Sequence, residues 1–185
     1  MSPTPSSAFT RAGPAATLLL PAVFLGACSV IGGDSGCRDT EAELKRLAAQ
    51  PLLAAAPARA AAPANYRSVG VSTACDGDSP GEPWLHADRL YAFPGKPADV
   101  IAHHTEAAAA AGWQIEHDPD PGAASVTVAG ACWTKTEKDR HLLLDVDFNT
   151  GGWSPAPEVG KGIAYAVSVG STADAGGGEE ATCKR

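Results

Sequence analysis

"HLLLDVDFN", residues 141–149, alternates apolar and polar side chains along most of its length. Leu142, Leu144, Val146 and Phe148 share one side of an extended chain, with Asp145, Asp147 and Asn149 on the other. A period of two with one wet face marks a half-buried strand of an antiparallel sheet. The same reading applies to "SVTVAGACW" (125–133), which puts Val126, Val128, Gly130 and Cys132 on one face. It applies again to "IAYAVSVG" (163–170), with Ile163, Tyr165, Val167 and Val169 together. "YRSVGVSTAC" (66–75) aligns Arg67, Val69, Val71, Thr73 and Cys75, while "RLYAFP" (89–94) and "WQIEH" (113–117) are shorter candidates.

Two stretches carry the helical period instead. "GKPADVIAHHTEAAAAAG" (95–112) has Pro97 near its first turn and Gly112 as its stop. In "DTEAELKRLAAQP" (39–51), Thr40 followed by Glu43 has the pattern of a capping box, Leu44, Leu47 and Ala48 form a narrow stripe, and Pro51 ends the run. Between Leu52 and Ala64, Pro57 and Pro63 interrupt any helical ladder, so an extended covering segment is expected. The fold class is therefore α+β: an antiparallel meander of about five or six strands with one long and one short helix on one face.

The chain has 185 residues and a formal charge of −7. Residues 1–27 hold one Arg and no acid, leaving 13 basic against 21 acidic residues beyond them. That balance argues against nucleic acid, whose phosphates demand clustered Lys and Arg. One folded domain is the default for this length, assigned to residues 37–185.

Residues 15–27 form a mostly apolar run of 13 after a polar start and a single Arg11. A helix crossing hydrocarbon needs about 20 such residues, so the run has the length of a signal-peptide core. Pro14 and Pro21 speak against a buried helix of the folded domain. The run ends in Leu25-Gly26-Ala27-Cys28, which resembles the bacterial lipobox. That resemblance implies a lipoprotein signal peptide over 1–27, cleavage before Cys28, and a diacylglyceryl group on its sulfur. Residues 28–36 would then be a flexible Gly/Ser tether. The localisation implied is the extracytoplasmic side of the cell membrane, reached through acyl chains that anchor firmly when two or more are present.

With Cys28 given to lipid, Cys37, Cys75, Cys132 and Cys183 remain, an even number in an exported chain. Two disulfides follow from that context, and zinc is disfavoured because no pair has C-x-x-C spacing. Four cysteines allow three connectivities. Strand direction favours Cys37–Cys75 and Cys132–Cys183: in a meander, strands 125–133 and 163–170 point the same way, so Cys183 can fold back to Cys132.

Candidate sites are few. His104 falls in the middle of the apolar stripe of the long helix, formed by Pro97, Val100, Ile101, Ala107, Ala108 and Ala111. It reads as a core-edge histidine or as one lining a ligand pocket. His103 points elsewhere, near Asp99 and Glu106, as ordinary surface charge does. "DVDFN" imitates the start of a calcium loop, but Thr150 and Ala156 stand where Gly and a bidentate Glu are required. Trp84 and Trp153, in Pro/Gly-rich loops, form a possible aromatic platform, while Trp113 and Trp133 read as packing residues. No hydrolase elbow, phosphate loop or dinucleotide fingerprint occurs. No catalytic, metal or cofactor residue is assigned.

The lipobox, the Gly-Trp after the helix and the spaced cysteines resemble small actinobacterial-type lipoproteins of the cell envelope. That resemblance transfers no functional residue beyond Cys28. The expected function is a binding or scaffolding module with an envelope protein, peptide or glycan as partner. The alternatives are a small envelope enzyme using His104 with a nearby carboxylate, or a small-ligand carrier.

Overall fold

The computed structural model describes residues 37–77, 83–117, 130–138, 140–172 and 183. The expected lipobox and tether, and Val126 and Val128, lie outside them. Six strands form one antiparallel sheet: β1 (Val71–Asp76), β2 (Trp84–Phe93), β3 (Gln114–His117), β4 (Ala131–Glu137), β5 (Arg140–Asp147) and β6 (Ile163–Thr172). Their order is β1-β2-β6-β5-β4-β3. The chain makes the β1-β2 hairpin and crosses through helix α2 (Pro97–Ala110) to the far edge. It then returns strand by strand until β6 closes against β2. The expected α+β meander is the fold observed.

Register along the central pair settles which side chains are buried. β2 and β6 are paired from Trp84↔Thr172 to Phe93↔Ile163. Side chains alternate between faces, so odd-numbered residues of both strands point one way. Leu85, Ala87, Tyr91 and Phe93 meet Tyr165, Val167 and Val169 there, joined by Leu142, Leu144 and Val146 of β5 and Trp133 of β4. Helix α1 (Glu41–Ala48) contributes Leu47 to this core, and α2 contributes Val100 and Ala108. Both helices therefore cover one face. The Pro-rich segment adds Leu52 and Leu53, and Ala61 bridges to Ala92 at its end.

Helix α2 stops as its sequence requires. Gly112 adopts φ +78°, a conformation that costs a glycine little. The Trp113 amide donates to the Ala108 carbonyl at 3.0 Å and the Gly112 amide to Ala109 at 3.1 Å, a Schellman pair. Trp113 is thereby turned into the core. Helix α1 starts differently from expectation. Thr40 donates its hydroxyl to the Cys37 carbonyl at 3.0 Å, and no capping box forms. Glu43 is drawn inward instead, where Arg46 grips it bidentately and buried Ser171 donates to Oε1 at 3.2 Å. Arg140 Nη1 stands 3.3 Å from the same oxygen, a charge contact without hydrogen-bond alignment. A charged anchor to β5 and β6 outcompetes a local cap.

Strand limits also move. β1 begins at Val71, because Arg67–Val69 form a turn after the short 3-10 helix Ala64–Tyr66. β2 begins five residues before the expected Arg89, since β6 offers it a partner along its whole length. β4 runs past Trp133 to Glu137, so Trp133 sits mid-strand, 1% exposed, rather than at a strand end.

Both expected disulfides are present. Cys37–Cys75 ties the chain ahead of α1 to edge strand β1, and Cys132–Cys183 returns the chain end to β4. Such bridges are those of a chain that folds in an oxidising compartment. Among the described residues no helix is long and apolar enough to cross a membrane.

Two stability outcomes follow. Trp133→Ala should lower the free energy of unfolding by about 3–5 kcal/mol, from lost burial and the cavity left behind. Replacing Cys37 and Cys75 together by Ser should cost about 2–4 kcal/mol. Urea denaturation under non-reducing conditions measures both.

Candidate functional site

The expected site residues divide between the two faces of the sheet. His104 lies under α2, on the core side. Trp84 and Trp153 lie on the opposite, outer side. Among the described residues, the two places are separated by the sheet.

On the core side, His104 is fully buried with Val100 and Ala108 along the same helix edge. Its ring stands edge-on to Tyr165, with centroids 5.9 Å apart, and to His103 at 5.4 Å. Neither ring nitrogen has a hydrogen-bond partner among the described residues, so no carboxylate is paired with it. Burial, aided by the charge repulsion of His103, pushes its pKa down to about 4. It is a neutral imidazole at physiological pH, without the carboxylate that the acid–base alternative needs. Asp99, the acid expected beside His103, instead accepts the Lys96 amide at 3.2 Å at the helix start.

The outer face follows from the register already described. Even-numbered residues of β2 point away from the helices, giving the stripe Trp84, His86, Asp88 and Leu90. Trp84 lies flat over Gly170, where a Cβ would fall 2.1 Å from its Cζ2. No larger residue fits beneath that indole. Trp153 sits at the other end of the stripe, edge-on to Tyr66 at 5.7 Å and packed with Leu90 and Ala166. Its loop is stitched to the 3-10 helix by Tyr66 Oη donating to the Pro155 carbonyl at 2.6 Å and Asn65 Nδ2 to that of Ala156 at 2.9 Å. Six residues of strand span about 20 Å, so the two tryptophans bracket the stripe without forming one platform.

Between them lies a polar array that sequence reading missed. His86 Nδ1 is 2.7 Å from Asp88 Oδ2, and His86 Nε2 is 3.2 Å from Asp76 Oδ2. Ser168 Oγ donates to Asp88 Oδ1. Both imidazole nitrogens face carboxylate oxygens, an arrangement satisfied only when both carry protons. The hydrogen bond to Asp88 accordingly raises the His86 pKa. Partial burial opposes it, and the charges of Asp88 and Asp76 add to the rise. The row continues across the sheet through the registered residues Ser72, Asp88, Ser168, Asp145 and Cys132.

Ser, His and Asp are thus neighbours, but in the wrong order for nucleophilic catalysis. Ser168 gives its proton to Asp88 and not to His86, so no imidazole base activates it. The calcium-like pattern has a local explanation as well. Asp147 Oδ1 accepts the Asn149 amide at 2.8 Å, and Asn149 Oδ1 accepts the Gly151 amide at 3.3 Å. These carboxamide and carboxylate oxygens shape the turn after β5. Among the described residues no three His, Cys, Asp or Glu side chains converge on a cation site.

The signal for the array was available in "WLHADRL". Trp84, His86 and Asp88 stand at i, i+2 and i+4 and share a face once the strand starts at Trp84.

The two histidines titrate in opposite directions, with opposite consequences. His86 is raised from 6.5, so its stabilisation is complete below 6.5 and is lost as pH rises through the folded value. His104 is lowered from 6.5 to about 4, so the unfolded chain binds more protons between those limits and stability falls as pH drops through them. Imidazole ring-proton titration by NMR should place His86 above 6.5 and His104 near 4. Asp88→Asn should bring the His86 midpoint down and leave His104 unmoved. The His104 contribution to acid destabilisation amounts to about 3 kcal/mol and should vanish in His104→Phe, read by urea denaturation across pH.

No protein-family model, curated protein or solved structure matches the chain.

Proposed function

We propose that this protein is a lipid-anchored lipoprotein of the cell envelope, tethered through Cys28 on the extracytoplasmic side, whose α+β domain is a binding module. The observation that supports it is the outer sheet face, which neither α1 nor α2 covers and where Trp84, His86, Asp88 and Ser168 present apolar and charged groups in one half-exposed stripe. A purely structural face has less use for an imidazole clamped between two carboxylates. The lipobox supports the anchor, and the two disulfides support an oxidising exterior. The partner is a component of the envelope, protein, peptide or glycan, reached by a domain held close to the membrane.

The anchor is tested by growing cells expressing the full chain with an alkyne-tagged fatty acid. Wild type should take up label at Cys28. Cys28→Ser should take up none and should either appear in the soluble fraction or remain as an uncleaved precursor. Unlabelled wild type beginning at Met1 overturns the proposal.

A further inference from the structure

Under α2, four buried polar atoms have no partner among the described residues: His103 Nε2, His104 Nδ1, His104 Nε2 and the Tyr165 hydroxyl. They belong to one cluster of rings, with His104 5.4 Å from His103 and 5.9 Å from Tyr165 between centroids. An isolated orphan of this kind is a tolerable defect. Several on touching side chains, in a core otherwise closed by Val100, Ala108 and Phe148, call for an occupant. The adjacent tyrosine shows what the fold does when it has a partner at hand. Tyr91 stacks on Tyr165 at 5.3 Å, and its hydroxyl donates to the Leu53 carbonyl at 2.6 Å.

We infer that this cluster holds an internal water site, in which a bound water bridges one of the His104 ring nitrogens to the Tyr165 hydroxyl, with His103 Nε2 as a third partner. The chemistry selects the occupant. A neutral imidazole offers one donor and one acceptor, and a phenol offers the same. Between those two groups the site calls for a small molecule that both donates and accepts. Water does so in the smallest volume, and buried waters commonly make about three hydrogen bonds. The inference concerns the core face and is independent of the proposed binding module.

Two measurements on the folded wild-type domain and one conservative variant test it. Tyr165→Phe deletes a single oxygen and nothing else. If water bridges that oxygen to His104, the variant's unfolding equilibrium constant at neutral pH should rise about fivefold. If the hydroxyl is a true orphan, its removal relieves a desolvation penalty and the variant is as stable as wild type or more so. Water-selective NMR should also show cross peaks from a long-lived water to ring protons of His104 and Tyr165, and Tyr165→Phe should weaken them. A Tyr165→Phe variant no less stable than its parent, or the absence of those cross peaks in wild type, overturns the inference.

Discussion

The central pairing of β2 with β6 governs everything else in this domain. Ten residues of each strand are aligned, and side chains alternate strictly across them. A slip of one residue would send Leu85, Ala87, Tyr91, Tyr165, Val167 and Val169 into water and bring His86, Asp88 and Ser168 beneath the helices. The apolar cost of that exchange pins the register, and the register in turn brings Ser168 beside Asp88. The polar array on the outer face is thus held in place by the hydrophobic core on the inner one. Trp84 reinforces the same choice, since only Gly170 leaves room for its indole.

Charge serves two different purposes on the two faces. At one edge of the core, Glu43 meets Arg46, Arg140 and Ser171. Burial works to raise that carboxyl, yet its basic and hydroxyl partners hold it below its ordinary value. Arg46 also reaches Glu137, 3.5 Å away, which Lys135 holds at 2.9 Å. This chain of groups joins α1 to β4, β5 and β6. On the outer face, a histidine stands between two aspartates, and its hydrogen bond to Asp88 favours its charged form. The first arrangement fastens one element to three others. The second ties one imidazole to two neighbouring carboxylates.

Much of this was legible from short-range pattern. The alternation along most of 141–148, the Pro97 start and Gly112 stop of α2, and the parity of the cysteines each carry a local physical reason, and each appears in the fold. What was not legible depended on partners distant in sequence. The start of β2 at Trp84 is set by β6, about eighty residues later, so a loop-like stretch became strand and its tryptophan became part of a face. Glu43 looked like a capping residue because nothing nearby in sequence advertises Ser171. The His86 array escaped notice because Ser168 and Asp76 reach it only through cross-strand neighbours. His104 was correctly placed on the apolar edge of its helix, but its lack of a partner is a property of the packed core and leaves no trace in sequence.

The Cys37–Cys75 bridge also determines how this domain would meet a mechanical force. Tension applied from the residues upstream of Cys37 reaches a covalent crosslink before it reaches α1. The bond delivers that tension to β1, an outermost strand held through its ladder to β2. Helix α1, which lies beyond the crosslink, then shares the load with β1 instead of bearing all of it, and so does the Leu47 contact that helps close the core. Under strain from upstream, the hairpin at the sheet margin would therefore yield first, while the β2–β6 centre and the face it displays kept their shape.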